Sequence, residues 1–186
     1  MAAYSDNFNR PDSTSLGNWS EIVDDWSIVG NQLAPGLSTT GVVLYGSQLD
    51  TPDHYVEVTV TNASTSSMGV VARSDISGND FYLFRNNGFT WTLFRNVGGS
   101  FNPIGAEYTA AAVSGDMVRL ECTGSTIRGY VNGIVRVTVT DTLITTGRYA
   151  GVRSTASSTT RYDNFTAADT GVTGSADPGA FFEIMF

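Results

Sequence analysis

The feature that most constrains this chain is a period of two that recurs from end to end and never gives way to a helical one. In His54-Tyr55-Val56-Glu57-Val58-Thr59-Val60-Thr61 the valines face one way, and Glu57, Thr59 and Thr61 face the other. Successive side chains of an extended strand point to opposite faces, so this run reads as a strand with one dry side. Comparable short runs occupy 41–45, 69–73, 81–85, 90–95, 117–123, 127–131, 134–140, 149–153 and 161–166. Gly, Asn, Asp and Ser cut between them. Gly30-Asn31 marks the tip of a hairpin over 26–34, and Asn132-Gly133 a type I′ hairpin, where both central residues need positive φ. Asn86-Asn87-Gly88 joins two further runs through a turn that welcomes positive φ. This pattern predicts an all-β, antiparallel two-sheet sandwich rather than βαβ units.

At 186 residues the chain suits one domain with a real core. Charged residues are only 15%, so Ser, Thr, Asn and Gly finish the surface. Acidic residues outnumber basic ones 18 to 10, for a net charge of −8. The phosphate-neutralising charge of a nucleic-acid binder is missing, and an anionic membrane is disfavoured for the same reason. All the basic residues are arginines. That fits coding in a GC-rich genome and hints at an actinobacterial host or a virus of one. Cys122 is alone, which excludes an intrachain disulfide; it shares a strand side with Val118 and Leu120 and reads as a small buried residue. Met1-Ala2-Ala3-Tyr4-Ser5-Asp6 has neither the basic nor the apolar region of a signal peptide, so synthesis in a cytosol without export is expected.

Order and residue type together carry a family resemblance. Asp6-Asn7-Phe8-Asn9-Arg10 and Leu16-Gly17-Asn18-Trp19 stand near the start, and Arg161-Tyr162-Asp163-Asn164-Phe165 near the end. Between them come Gly69-Val70-Val71-Ala72-Arg73-Ser74-Asp75 and Asn79-Asp80-Phe81-Tyr82-Leu83-Phe84-Arg85. Over residues 6–168 the chain resembles the concanavalin A-like, laminin-G-like jelly rolls. The resemblance implies that the first and last strands lie side by side in one sheet. It divides the chain into a domain, 1–168, and a linker with an apolar tail, 169–186. It specifies architecture rather than ligand.

The candidate sites follow from that frame. The glucan-cleaving members of the fold carry Glu-x-Asp-x-x-Glu on one strand, which holds two carboxylates at the separation that retention needs. Here Glu21, Glu57, Glu107, Glu121 and Glu183 are scattered. The single histidine, His54, opens a strand and reads as a surface or edge residue. No enzyme activity is expected. The resemblance matches Asp163 to a last-strand calcium ligand, so Ca²⁺ is the one cofactor to consider; the alternative is that Asp163 caps the strand end. It also places Tyr82, Trp91, Arg73, Arg85 and Arg95 in the hairpins that line the concave sheet of the family, where an aromatic platform beside planar polar groups would suit a glycan. The competing reading makes Tyr82 and Trp91 core residues.

The tail ends in Phe181, Phe182, Ile184, Met185 and Phe186, an apolar cluster suited to docking on a neighbouring subunit or folding back on its own domain. Together these features lead to one expectation: a structural virion protein of a tailed bacteriophage, a capsid decoration or minor tail protein. It would be tethered by that tail to other virion proteins or to its own copies, and would touch host-surface glycans. The alternative is a stand-alone carbohydrate-binding, lectin-like module.

Overall fold

The computed structural model describes residues 1–171, which form two antiparallel sheets and no helix. The first sheet runs β13 (Ile134–Thr140), β12 (Thr126–Val131), β11 (Asp116–Thr123), β6 (His54–Asn62), β15 (Arg161–Asp169), β4 (Leu33–Ala34) and β3 (Ser27–Ile28). A further strand, β1 (Ala3–Asp6), shares the β4 edge of β15. The second sheet runs β10 (Ser100–Thr109), β9 (Thr90–Val97), β8 (Phe81–Asn86), β7 (Met68–Ser74), β14 (Tyr149–Ser154), β5 (Gly41–Tyr45) and β2 (Trp19–Val23).

The interior is filled by alternate residues of both sheets. Val56, Val58, Val60, Val118, Leu120 and Cys122 come from the first; Val43, Val70, Tyr82, Phe84, Trp91, Leu93 and Val152 come from the second. Each such aliphatic or aromatic side chain contributes about 1.5–3 kcal/mol on leaving water. The expected turns are present. Gly30 and Asn31 lie at φ 59° and 61°, and Asn132 and Gly133 at 54° and 75°. Cys122 is buried, and burial pushes its thiol up to about 12, which removes it as a nucleophile.

The first and last strands close the sandwich as expected, with Asp6 opposite Phe165 and Ala3 opposite Ala168. The Asp6 carboxylate anchors one end. It accepts the Phe8 amide at 2.8 Å, the Trp19 indole N–H at 2.8 Å and Arg10 at 2.8 and 3.1 Å. The Trp19 ring lies 5.5 Å from Phe8 and 4.5 Å from Phe165. Partial burial works to raise the Asp6 carboxyl, but the bonds from Arg10, Trp19 and the Phe8 amide outweigh it and hold it below the usual range. Asp169 anchors the other end, accepting the Ala2 amide at 2.6 Å and the Thr51 amide at 3.0 Å. The linker therefore cannot begin at 169, because Asp169 completes β15 and Thr170 donates to the Asp53 carbonyl.

His54 corrects a second expectation. It is fully buried, not at the surface. Its Nε2 accepts the Arg73 amide at 3.1 Å, so the proton of the neutral ring sits on Nδ1, which donates to the Thr51 carbonyl at 3.1 Å. Beside it lies the guanidinium of Arg73, a residue at φ 48° and 1% exposed. It donates to the carbonyls of Pro52, Gly124 and Ile144 and to Asp53.

Burial first, with the charge of Arg73 adding to it, pulls His54 down to about 4, against the bond to Thr51 and the charges of Asp169 and Asp53. In the unfolded chain the ring titrates near 6.5. The folded state thus binds fewer protons, and stability present above pH 6.5 falls as the pH drops towards 4, by up to about 3 kcal/mol. His54 is the sole histidine and unfolded carboxylates take up protons only lower down. Urea unfolding of the wild type is expected to weaken already between pH 6.5 and 5; His54→Gln should flatten that part of the curve.

Candidate functional site

The second sheet is apolar on both faces. Tyr82 and Phe84 point inward, so Phe81, Leu83 and Arg85 point outward. The register carries this across the sheet: Leu83 faces Phe94, Arg85 faces Thr92, and Asn96 lies between Phe81 and Phe101. Val42, Leu44, Val71, Phe81 and Leu83 form the floor of this outward face, and Ile22, Phe94 and Tyr149 pack over them. Phe101, 39% exposed, meets Phe81 edge-on at 5.6 Å and Phe94 at 6.4 Å.

Two arginines lie on this surface. The Arg85 guanidinium sits 4.2 Å from the Phe94 ring centroid, and that of Arg153 sits 4.5 Å from the Phe101 centroid. Such a contact draws a cation to the face of an aromatic ring. Gly69 stands between them in the ladder, opposite Arg85 on one side and Arg153 on the other. Burial, then the like charge of Arg85, pulls Arg153 down to about 10. Burial also lowers Arg85, against the attraction of Glu107. Glu107 itself accepts from the Thr92 hydroxyl at 3.1 Å. The surface can therefore offer planar N–H donors above an apolar, aromatic floor.

The residues expected to form a glycan site are not brought together on one face. Tyr82 and Trp91 are fully buried, with Trp91 stacked on Phe84 at 5.2 Å. The Tyr82 hydroxyl donates to Asp141 at 2.5 Å and accepts the Ile144 amide, while Arg95 pairs with the same Asp141. Burial and the bond to Asp141 raise the Tyr82 phenol. Arg73 lies in the buried cluster beside His54. Tyr82, Arg95 and Arg73 do meet, but as a scaffold for the 141–144 loop, whose Ile144 bonds Tyr82 through its N–H and Arg73 through its carbonyl. Only Arg85 reaches the outward face. Phe94, Phe101 and Arg153 were missed. Parity sets Phe94 on the face opposite Trp91, and Arg153 opposite Val152, but does not say which face is outward.

At the other candidate positions, Asp163 gives one carboxylate oxygen to the Asn164 amide at 2.7 Å. No group of three or more His, Cys, Asp or Glu side chains gathers among the described residues. Open clefts of about 380 and 350 Å³ flank Ser5 and Asp6, but the Asp6 carboxylate there is already engaged by Arg10, Trp19 and Phe8. Phe181, Phe182, Ile184, Met185 and Phe186 lie outside the described residues.

Comparison with known proteins places the architecture. No family model matches the chain, and no curated protein matches its sequence. Among solved structures, it is similar to the carbohydrate-binding module CBM66 from Bacillus subtilis, with TM-score 0.72 and 16% identity over 86% of this chain and 100% of that one. The two-sheet shell is a jelly roll of the concanavalin A-like kind. A protein of unknown function with a galectin-like fold, also from Bacillus subtilis, matches at TM-score 0.62 and 12% identity, over 89% of this chain and 94% of that one. The non-specific endo-beta-1,3(4)-glucanase SCLam from family GH16 matches at 0.60 and 10%, over 88% and 89%. At such identities the likeness is one of fold, shared by binding modules and hydrolases alike.

The placement of Trp91 has a measurable consequence. Trp91→Ala should destabilise the domain by about 3–5 kcal/mol, as core aromatic truncations do, seen as a lower urea midpoint. A surface platform residue would change the midpoint little.

Proposed function

We propose that this chain is a non-catalytic carbohydrate-binding module whose ligand lies on the outward face of the second sheet. The observation that carries the reading is the composition of that face: Phe94 and Phe101 set side by side, each topped by a guanidinium, over a buried apolar floor. Sugars present C–H faces to aromatic rings and hydroxyls to planar donors, and this surface offers both. The fold likeness to a carbohydrate-binding module over that protein's whole length supports it. Retaining hydrolysis needs two carboxylates about 5 Å apart. The outward positions of β7, β8, β9 and β14 hold Gly, Val, Phe, Leu, Thr, Asn, Tyr and Arg, which favours binding over cleavage.

The virion reading is the weaker of the two. It drew on the apolar tail, and the structural likenesses favour sugar binding over it. A sugar-binding face is nevertheless what a protein touching host glycans would carry.

Affinity electrophoresis through gels containing laminarin, xylan, dextran or polygalacturonate tests the proposal. Retardation by at least one polysaccharide is expected, without release of reducing ends. Phe101→Ala and Phe94→Ala should weaken it about tenfold, near the 1.4 kcal/mol that such a factor represents, while the exposed Phe101 leaves the melting temperature nearly unchanged. Retardation that both variants retain in full would move the site elsewhere.

A further inference from the structure

We infer that Arg85 and Arg153 form an anion seat, so that the sugar taken by this face carries a carboxylate or sulfate group. The inference rests on the carbohydrate-binding reading and specifies the chemistry of its ligand.

Among the described residues Arg85, Arg136, Arg148, Arg153 and Arg161 pair with no carboxylate, and Arg136 shares with Arg85 a buried, unpartnered Nε over an aromatic ring; Arg85 and Arg153 differ in lying close together on one face. Arg10, Arg73, Arg95, Arg119 and Arg128 each bond a carboxylate. Carboxylates are in excess, at 18 acidic residues to 10 basic ones. Yet among the described residues neither Arg85 nor Arg153 has an ion pair or a side-chain hydrogen bond, and the Nε of Arg85 is shut from solvent without a partner. Both are part-buried. Glu107 attracts Arg85 from the exposed strand β10 but spends a carboxylate oxygen on Thr92. Two like charges, partly desolvated and turned to one surface, disfavour each other. A negative group between them relieves that cost; a neutral hydroxyl does not.

The geometry suits the same ligand. Thr92, Arg85, Gly69 and Arg153 follow one another across β9, β8, β7 and β14. The two arginine backbones are therefore about 10 Å apart, two strand spacings, with no side chain between them. Each guanidinium is already held over a phenylalanine ring, 4.2 and 4.5 Å from its centroid, so little ordering remains to be done on binding. A planar fork of N–H donors matches two oxygens of a carboxylate or sulfate. The net charge of −8 argues that any such binding is local, because the molecule as a whole repels anions.

Titration calorimetry on the full chain tests this with charge-matched probes. Trigalacturonate is compared with its methyl ester, and dextran sulfate with dextran; the first pair reports carboxylate recognition, the second sulfate. The expected result is at least tenfold tighter binding of one charged probe than of its neutral counterpart. Arg85→Gln and Arg153→Gln should each reduce that binding at least tenfold, with melting temperatures showing that the variants fold. A second readout uses inorganic sulfate alone, which should raise the melting temperature of the wild type more than that of the double variant. Equal binding of charged and neutral sugars, or charged-probe binding indifferent to both substitutions, overturns the anion seat and leaves the carbohydrate reading standing. Binding of no saccharide from either experiment overturns the carbohydrate reading; an equal sulfate response in wild type and double variant then removes the anion seat as well.

Discussion

A strand of four residues closes this sandwich, and it holds because both of its ends are pinned by carboxylates. Strands this short gain little from their own ladder. β1 instead ends at Asp6, which gathers the Phe8 amide, the Arg10 guanidinium and the Trp19 indole, and begins beside Asp169, which accepts the Ala2 amide. Charge-assisted bonds of this kind are roughly twice as strong as neutral ones. Trp19 makes the first anchor three-dimensional. It brings an indole from the second sheet against Phe8 and Phe165, so one side chain ties the chain's two Asp-Asn-Phe segments to the opposite layer. Phe8 at φ 48° and Asn164 at φ 52° show that both segments bend sharply to reach it.

The opposite device sits around Arg73. A buried charge lacking partners would be costly, and here its donors go to three carbonyls and to Asp53. The carbonyls belong to three separate connections, so one side chain sets the positions of the loops before β6, after β11 and before β14. His54 then fits as a neutral ring between the Thr51 carbonyl and the Arg73 amide. Function classes that need a reactive histidine are unsuited to such a ring, because both of its nitrogens are committed to main chain.

Much of this was legible in the residues. Alternation in 54–61 located β6, and the glycine and asparagine turns located the hairpins, because those turns demand a backbone conformation that few residues adopt. β10 was not legible. Ser100-Phe101-Asn102-Pro103-Ile104-Gly105 does not alternate, contains a proline, and breaks register between Ile104 and Tyr108, as an edge strand can. β2 was hidden by its mixed exposure. The candidate site failed for a different reason. In Thr90-Trp91-Thr92-Leu93-Phe94-Arg95 each face carries a large apolar residue, so period two gives the two sets of side chains without telling which set is inside. His54 was misjudged because its position at a strand start says nothing of the Arg73 side chain that covers it from the other sheet.

That ambiguity is also a physical problem for the folding chain. A one-residue slip exchanges the faces of a strand, and it is normally forbidden because it exposes the apolar set. In β8 the slip would trade Tyr82 and Phe84 for Phe81 and Leu83, and the hydrophobic term barely distinguishes them. Something polar must select the register. Tyr82 and Arg95, directly paired across β8 and β9, both bond Asp141, and Asn86 reaches the Ala110 carbonyl; a slip would turn these groups to the wrong side. The residues that looked like ligand contacts in the sequence thus specify which face is inside. That selection leaves Arg85 and Phe94 on the outward face of β8 and β9.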